Sequence, residues 1–214
     1  MRIIDLTAPL RADTPVYPGD TPLTVTWISV LTQVGYNLSK VELSPHCGTH
    51  VDAPYHFLDS GIPIDQIPLE CFAGPAMVID TPKGPGEEIT LEDFRQADIR
   101  RNDICLFSTG WEALNGTSAF FNAAFPGLSE AALISLIQKG VKAVGGDFAS
   151  VDGFGSLANN SPCHRKAAEA GIPIYEGLIN LKPLIGHRFL FVGMPLRIEG
   201  LEASPVRAIA IVED

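Results

Sequence analysis

The sequence predicts one α/β (α+β) domain spanning residues 1–214, built on a mixed, largely antiparallel sheet with few helices. Three observations predict it. Short runs rich in Val, Ile and Phe recur along the chain; only two segments carry clear helix signals at both ends; and 20 glycines and 17 prolines punctuate the sequence throughout. In chain order the expected strands are residues 3–6, 25–30, 40–43, 76–79, 104–108, 142–145, 189–192 and 207–212. Each is a short apolar run with turn residues near most of its ends. Ser129 is a good N-cap for a helix that places Leu133, Leu136 and Ile137 on one face and stops at Gly140. Ser161-Pro162 reads as an N-cap followed by proline at the first helical position, with Gly171 as the stop. A third, short helix is expected after Thr90. Residues 81–88, with two prolines, two glycines and several charges, read as a surface loop and not as a linker, because core-forming strands flank them.

The formal net charge is -10 at pH 7, and no basic cluster interrupts it. Phosphate backbones and anionic lipid surfaces both demand concentrated Lys and Arg, so neither a nucleic acid nor a membrane is an expected partner. The longest apolar runs, such as residues 189–194, are too short to span a bilayer. The opening Met1-Arg2-Ile3-Ile4-Asp5 shows no apolar run with a cleavage site, so a cytoplasmic location is expected. Cys47, Cys71, Cys105 and Cys163 form no CxxC pair and are expected to be buried thiols.

Chemistry concentrates in Pro45-His46-Cys47-Gly48-Thr49-His50-Val51-Asp52-Ala53-Pro54-Tyr55-His56. The three histidines and the aspartate all fall on even positions, which share a face in an extended chain. Imidazole and carboxylate are ligands for zinc, manganese and similar cations. A lone histidine here would be an ordinary polar residue at a strand edge; three with an aspartate in phase read as a ligand set. Residues four apart on a straight strand are ~13 Å apart at ~3.3 Å per residue. His46 and His50 therefore share an ion only if the backbone bends between them, and Gly48 is the residue placed to allow it. His50 and Asp52 need no bend. Pro45 and Pro54 argue against a helical HxxxH arrangement. Cys47 has the wrong phase for the ligand face. Asp147 and Asp152 are expected to hold loops by hydrogen bonds, Trp111 to fill core or an interface, and His187 to be structural or exposed.

The string His46 to His56 fits the pattern HxGTHxDxPxH, and in this the chain resembles the putative cyclase family, which includes bacterial kynurenine formamidases and isatin hydrolases. The resemblance runs nearly end to end, through Ile4-Asp5-Leu6-Thr7, Pro15-Val16-Tyr17-Pro18-Gly19-Asp20, Ser108-Thr109-Gly110-Trp111, Gly146-Asp147 with Ser150-Val151-Asp152, and Ala203-Ser204-Pro205-Val206-Arg207-Ala208. It implies a swivelling β/β/α-like fold and a site for two divalent cations, zinc or manganese. By position, His46, His50 and Asp52 would hold the first ion, and Asp52 would bridge to a second held by His164 and Glu176. His56 would be the catalytic acid/base. It also implies a homodimer or a dimer of dimers. Formamidases of the family typically carry PVWPGD with the tryptophan against an aromatic substrate; Tyr17 takes that place here, as a candidate substrate-binding residue with a smaller ring and an added hydroxyl.

The expected function is metal-dependent hydrolysis of an amide or formamide bond in a small aromatic or cyclic molecule, with His56 shuttling the proton. Opening of a lactam or lactone is the alternative among enzymes. A non-catalytic, metal-containing protein that binds a small ligand is the alternative of another class; it would have no use for the spare imidazole of His56. A purely structural zinc site usually closes with four protein ligands, often thiolates, which this cluster lacks.

Overall fold

The computed structural model describes residues 1–157 and 160–213. The strands are β1 (Arg2–Asp5), β2 (Thr24–Ser29), β3 (Leu38–Glu42), β4 (His50–Asp52), β5 (Ala73–Asp80), β6 (Glu88–Ile89), β7 (Ile104–Ser108), β8 (Gly127–Leu128), β9 (Ala143–Gly146), β10 (Ile174–Glu176), β11 (Arg188–Val192), β12 (Ala203–Pro205) and β13 (Ile209–Val212). The α-helices are α1 (Leu31–Val34), α2 (Ala119–Asn122), α3 (Glu130–Lys139), α4 (Phe154–Leu157) and α5 (Pro162–Ala170). Nine strands form one sheet in the order β1-β13-β11-β5-β7-β9-β10-β4-β12. Only the central pairs β5–β7, β7–β9 and β9–β10 are parallel. The other five pairs are antiparallel, so the sheet is mixed and largely antiparallel, as the sequence predicts.

The parallel centre is buried on both faces, which is why it reads as continuous apolar runs. Along β7 the side chains still alternate. Ile104 and Leu106 enter one core with Ala76, Val78, Phe189, Phe191, Tyr175 and Val51. Cys105 and Phe107 enter the other with Val144, Ile174, and the inner faces of α3 and α5. Leu133 and Leu136 of α3 and Cys163 and Ala167 of α5 supply that helical layer. In β9, Gly145 is required by close packing: a Cβ there would lie 2.6 Å from the Tyr175 Cβ.

The helix ends follow local chemistry in one case and not in the other. Ser129 Oγ accepts the Ala132 amide, and Gly140 ends α3 at φ 76°. A cap of this kind contributes about 1 kcal/mol. At α5, Pro162 does begin the helix and Gly171 does end it, but Ser161 sits at φ 50° and ψ 63° and caps nothing with its side chain. The carboxylate of Asp152 caps instead, accepting the Cys163 and His164 amides at 2.8 and 3.0 Å. The expected helix after Thr90 is a 3-10 turn, Leu91–Phe94, with Thr90 and Asp93 reciprocally capping it.

β2 and β3 stand apart as a two-stranded antiparallel arm joined through α1. Val25, Trp27, Ile28, Leu31, Val34, Tyr36, Leu38 and Val41 are all exposed on it. Residues 21–39 contain no Asp, Glu, Lys or Arg, in a chain of net charge -10. Trp111, by contrast, is core: it is buried, and its Nε1 donates to the Phe120 carbonyl at 3.1 Å. His187 is exposed, and the four cysteines are free thiols, three of them buried. Among the described residues, no helix is long and apolar enough to cross a membrane.

Candidate metal centre and substrate cavity

β4 is only three residues long, and pairing rather than pattern defines it. β10 flanks it on one side and β12 on the other, both antiparallel. His50 lies opposite Glu176 in that register. Since alternate residues share a face, His50, Asp52 and Glu176 all project the same way. Thr49, of opposite phase, anchors the back: its hydroxyl donates to the Gly177 carbonyl at 2.7 Å and accepts the Ala8 amide at 2.9 Å.

His46 is not on the strand. It lies in a turn, and the chain reverses at Gly48, whose φ is +70°. The expected bend is therefore present, and the straight-strand phase of residues 46–56 applies only to residues 50–52. A side chain at Gly48 would be both strained and obstructed, because its Cβ would meet Leu10 Cδ2 at 2.5 Å. On the other side, Pro54 starts the 3-10 turn Pro54–His56, which folds His56 back over the cluster. The His46 and His56 rings lie 4.3 Å apart between centroids, and those of His46 and His50 lie 5.0 Å apart. His164 arrives from the first turn of α5, with its ring stacked on Phe57 at 4.4 Å.

Asp52 is the hub. His46 Nδ1 is 3.0 Å from Oδ1, His50 Nε2 is 3.4 Å from Oδ1, and His164 Nε2 is 3.6 Å from Oδ2. Glu176 closes the group, with Oε2 3.6 Å from His50 Nε2 and Oε1 3.5 Å from His164 Nε2. Yet neither Asp52 oxygen has a hydrogen-bond partner among the described residues, though both are buried. The facing imidazoles offset the charge of this buried carboxylate but leave its oxygens without a hydrogen bond. The donor set fits divalent cations, and the orphaned carboxylate is where a bridging ligand belongs. Two triads hold mutually close ligand atoms, all within 4.8 Å: His50, Asp52 and Glu176, and His46, Asp52 and His56. Asp52 belongs to both. This grouping differs from the one implied by the family resemblance, which pairs His46 with His50 and leaves His56 free.

Electrostatics follow from this crowding. Burial lowers the His50 pKa, but Asp52, Glu176 and the Gly48 carbonyl outweigh it and bring it to about 9. His164 is likewise raised, against burial, by Asp152, Asp52 and Glu176. Asp52 is held well below the usual carboxylate range; burial opposes this, and His50, His46 and His164 prevail. His56 moves the other way. Burial lowers it, Asp52 and Glu176 oppose, and His46 and His164 add to the lowering.

The cluster forms the floor of a cavity of about 280 Å³, whose walls include Tyr17, Asp20, Phe57, Phe121, Ser150 and Ser161. Tyr17 and Phe121 meet edge to face at 6.0 Å. All seven residues singled out in the sequence, His46, His50, Asp52, His56, His164, Glu176 and Tyr17, line this one cavity. Sequence reasoning missed several neighbours. Glu202 Oε1 lies 3.5 Å from His46 Nε2, brought there by the pairing of β12 with β4. Phe57 and Phe121 carried no motif of their own. Asp147 holds a loop as expected, accepting the Thr109 and Gly110 amides at 2.8 Å each, whereas the hydrogen bonds of Asp152 go to the first turn of α5.

Comparison with known proteins agrees with this geometry. A kynurenine formamidase of Salinibacter ruber is 33% identical over 213 residues, covering 98% of this chain and 97% of its own. A kynurenine formamidase of Paracidovorax citrulli is 32% identical, covering 96% and 94%. Among solved structures, isatin hydrolase A from Ralstonia solanacearum superposes with a TM-score of 0.90 at 28% identity, covering 99% of this chain and 92% of its own. The family model described as "Putative cyclase" matches residues 4–153, a span that contains the whole His46–His56 segment as well as Asp147 and Asp152. With the family's histidine motif folded around a buried aspartate whose oxygens accept no hydrogen bond among the described residues, the chain belongs to the putative cyclase family.

Proposed function

We propose that this protein is a metal-dependent hydrolase of an amide or formamide bond in a small aromatic or cyclic substrate, resembling the kynurenine formamidases it aligns with. The observation that carries this reading is the Asp52 carboxylate, buried without a hydrogen bond beneath a substrate-sized cavity and faced by three imidazoles. His46, His50, Asp52, His164 and Glu176 would hold two divalent cations, zinc foremost. When bound, such cations supply Lewis acidity toward a carbonyl oxygen and make water acidic enough to ionise near neutral pH.

The protein's own groups account for the rest. The lowered pKa of His56 leaves its ring neutral at neutral pH, so an imidazole nitrogen is free to accept a proton from the attacking water. The same nitrogen returns that proton to the leaving nitrogen as the C–N bond breaks, giving an amine and a carboxylic acid, which ionises to the carboxylate by releasing the water's second proton to solvent. Phe57 and Phe121 keep the space over the cluster apolar, and Tyr17 presents a ring for an aromatic substrate to pack on. The 280 Å³ of the cavity limits the substrate to a small molecule. Lactam opening is the second reading, favoured by the close superposition on isatin hydrolase A.

The single domain is proposed to work as a homodimer, or a dimer of dimers, in the cytoplasm. Residues 21–39 of the arm, which carry no charged side chain, support self-association, because a second copy of a chain with net charge -10 is repelled least where its surface is uncharged. The deciding experiment incubates metal-stripped protein with zinc or manganese and assays N-formylkynurenine, isatin and a panel of simple formamides. Turnover of one of these only with metal is expected. Metal binding without turnover of any would favour the ligand-binding alternative.

A further inference from the structure

One buried carboxylate lies behind the site and takes no part in the chemistry above. Asp152 is fully buried, outside the cavity floor. Its Oδ1 accepts the Cys163 amide at 2.8 Å. Its Oδ2 accepts two hydrogen bonds from one residue: the His164 amide at 3.0 Å and the His164 ring Nδ1–H at 2.6 Å. Two main-chain amides already donate to this carboxylate, which favours its ionised, acceptor-only form and so places the proton of the short bond on Nδ1. The other ring nitrogen, Nε2, is thereby turned toward Asp52 and Glu176, at 3.6 and 3.5 Å. Phe57 packs on the face of the same ring, at an interplanar angle of 29°.

Capping alone does not call for this arrangement. Ser161 occupies the N-cap position and could cap locally from an extended backbone, yet it stands in the left-handed region and makes no such bond. The residue next to Asp152 braces a second member of the cluster, since the Val151 amide donates to Glu176 Oε1 at 2.7 Å. Residues 151 and 152 thus hold Glu176 and His164 from behind, one by a main-chain donor and one by a side-chain acceptor.

We infer that Asp152 is a positioning residue of the metal centre, fixing the tautomer and orientation of His164 so that Nε2 is the nitrogen offered to a cation. The inference rests on the reading of His164 as a ligand, and the test separates the two. Zinc affinity is measured by calorimetry on metal-stripped wild type, Asp152→Asn and His164→Ala, with folding checked by circular dichroism. Asparagine keeps one oxygen for the Cys163 amide but sets an NH2 group against the two His164 donors. Outer partners of metal-binding histidines contribute about 10–100-fold in affinity, and a loss of that size is expected for folded Asp152→Asn. Unchanged affinity in Asp152→Asn together with a loss in His164→Ala overturns the role of Asp152 and leaves the ligand intact. Unchanged affinity in His164→Ala removes the ligand itself, and the inference with it. Long-range proton–nitrogen spectra of the zinc-loaded wild type give a readout that needs no variant to fold. A protonated Nδ1 and a zinc-shifted Nε2 on His164 support the inference; the reverse assignment overturns it.

Discussion

His56 lies within the same 4.8 Å envelope as His46 and Asp52, so the acid/base role proposed for it and its capacity as a ligand compete at a single side chain. Its lowered pKa favours the first, because a neutral imidazole is a base at neutral pH. His56→Ala is expected to keep its bound metal and lose ~10²–10⁴-fold in kcat. Metal analysis of the purified variant decides: ion content falling in step with activity would make His56 a ligand. His50 bears on a different experiment. Its pKa is raised to about 9 in the metal-free protein, against ~6.5 in an unfolded chain. A raised histidine contributes stability that is fully present below the unfolded value and is lost as pH rises through the folded one. The thermal midpoint of chelated protein is therefore expected to fall between pH ~6.5 and about 9, and affinity for zinc to rise over the same window as the competing proton leaves. A midpoint that climbs across that window would contradict the charge arrangement described at Asp52.

At the scale of elements, what pattern governs was legible and what pairing governs was not. β5, β7, β9, β11 and β13 are apolar runs bounded by turn residues, and the sequence announces them. β10 answers to the short apolar run expected at residues 172–175, but β4 and β12 are three residues each, too short to show a period, and only register makes them strands. They carry the site, so its members were readable from their residue types while their grouping was not. The alternation argument placed residues 46–56 on one strand face; the bend it demanded at Gly48 is present, but the second fold-back, at Pro54, left no mark in the spacing. Ser161 misled for a related reason. A local cap signal is overruled when a distant carboxylate already accepts the same amides. Gly48→Val provides the sharpest test at this scale. Its φ of +70° and the 2.5 Å approach to Leu10 oppose any Cβ. The variant is expected to fold, since Thr49 and β4 remain anchored, but to bind zinc at least tenfold more weakly, a change of about 1.4 kcal/mol. Wild-type affinity would mean that His46 reaches the centre by another backbone path.

At the scale of the molecule, the arm of β2 and β3 is the feature the isolated chain does not explain. A lone two-stranded hairpin is at best marginally stable in water. This one exposes Trp27 at 63% and Ile28 at 61% to solvent, which a self-associated state would cover. Trp27→Asp together with Leu38→Asp is expected to shift the protein to monomer in light scattering while preserving its far-ultraviolet spectrum. A wild type that is already monomeric at micromolar concentration would rule the arm out as a self-association surface. The order of β4 in the sheet bears on something else, the timing of assembly. His50 must be matched with Glu176 on one side and Pro205 on the other, partners more than 120 positions later in the chain. During synthesis His46, His50 and Asp52 emerge long before either neighbour exists, so an ion meeting the growing chain finds only part of the candidate ligand set and no walls around it. On the proposed ligand set, full-affinity metal capture would follow completion of the sheet, so a bound ion would favour chains that have already closed it.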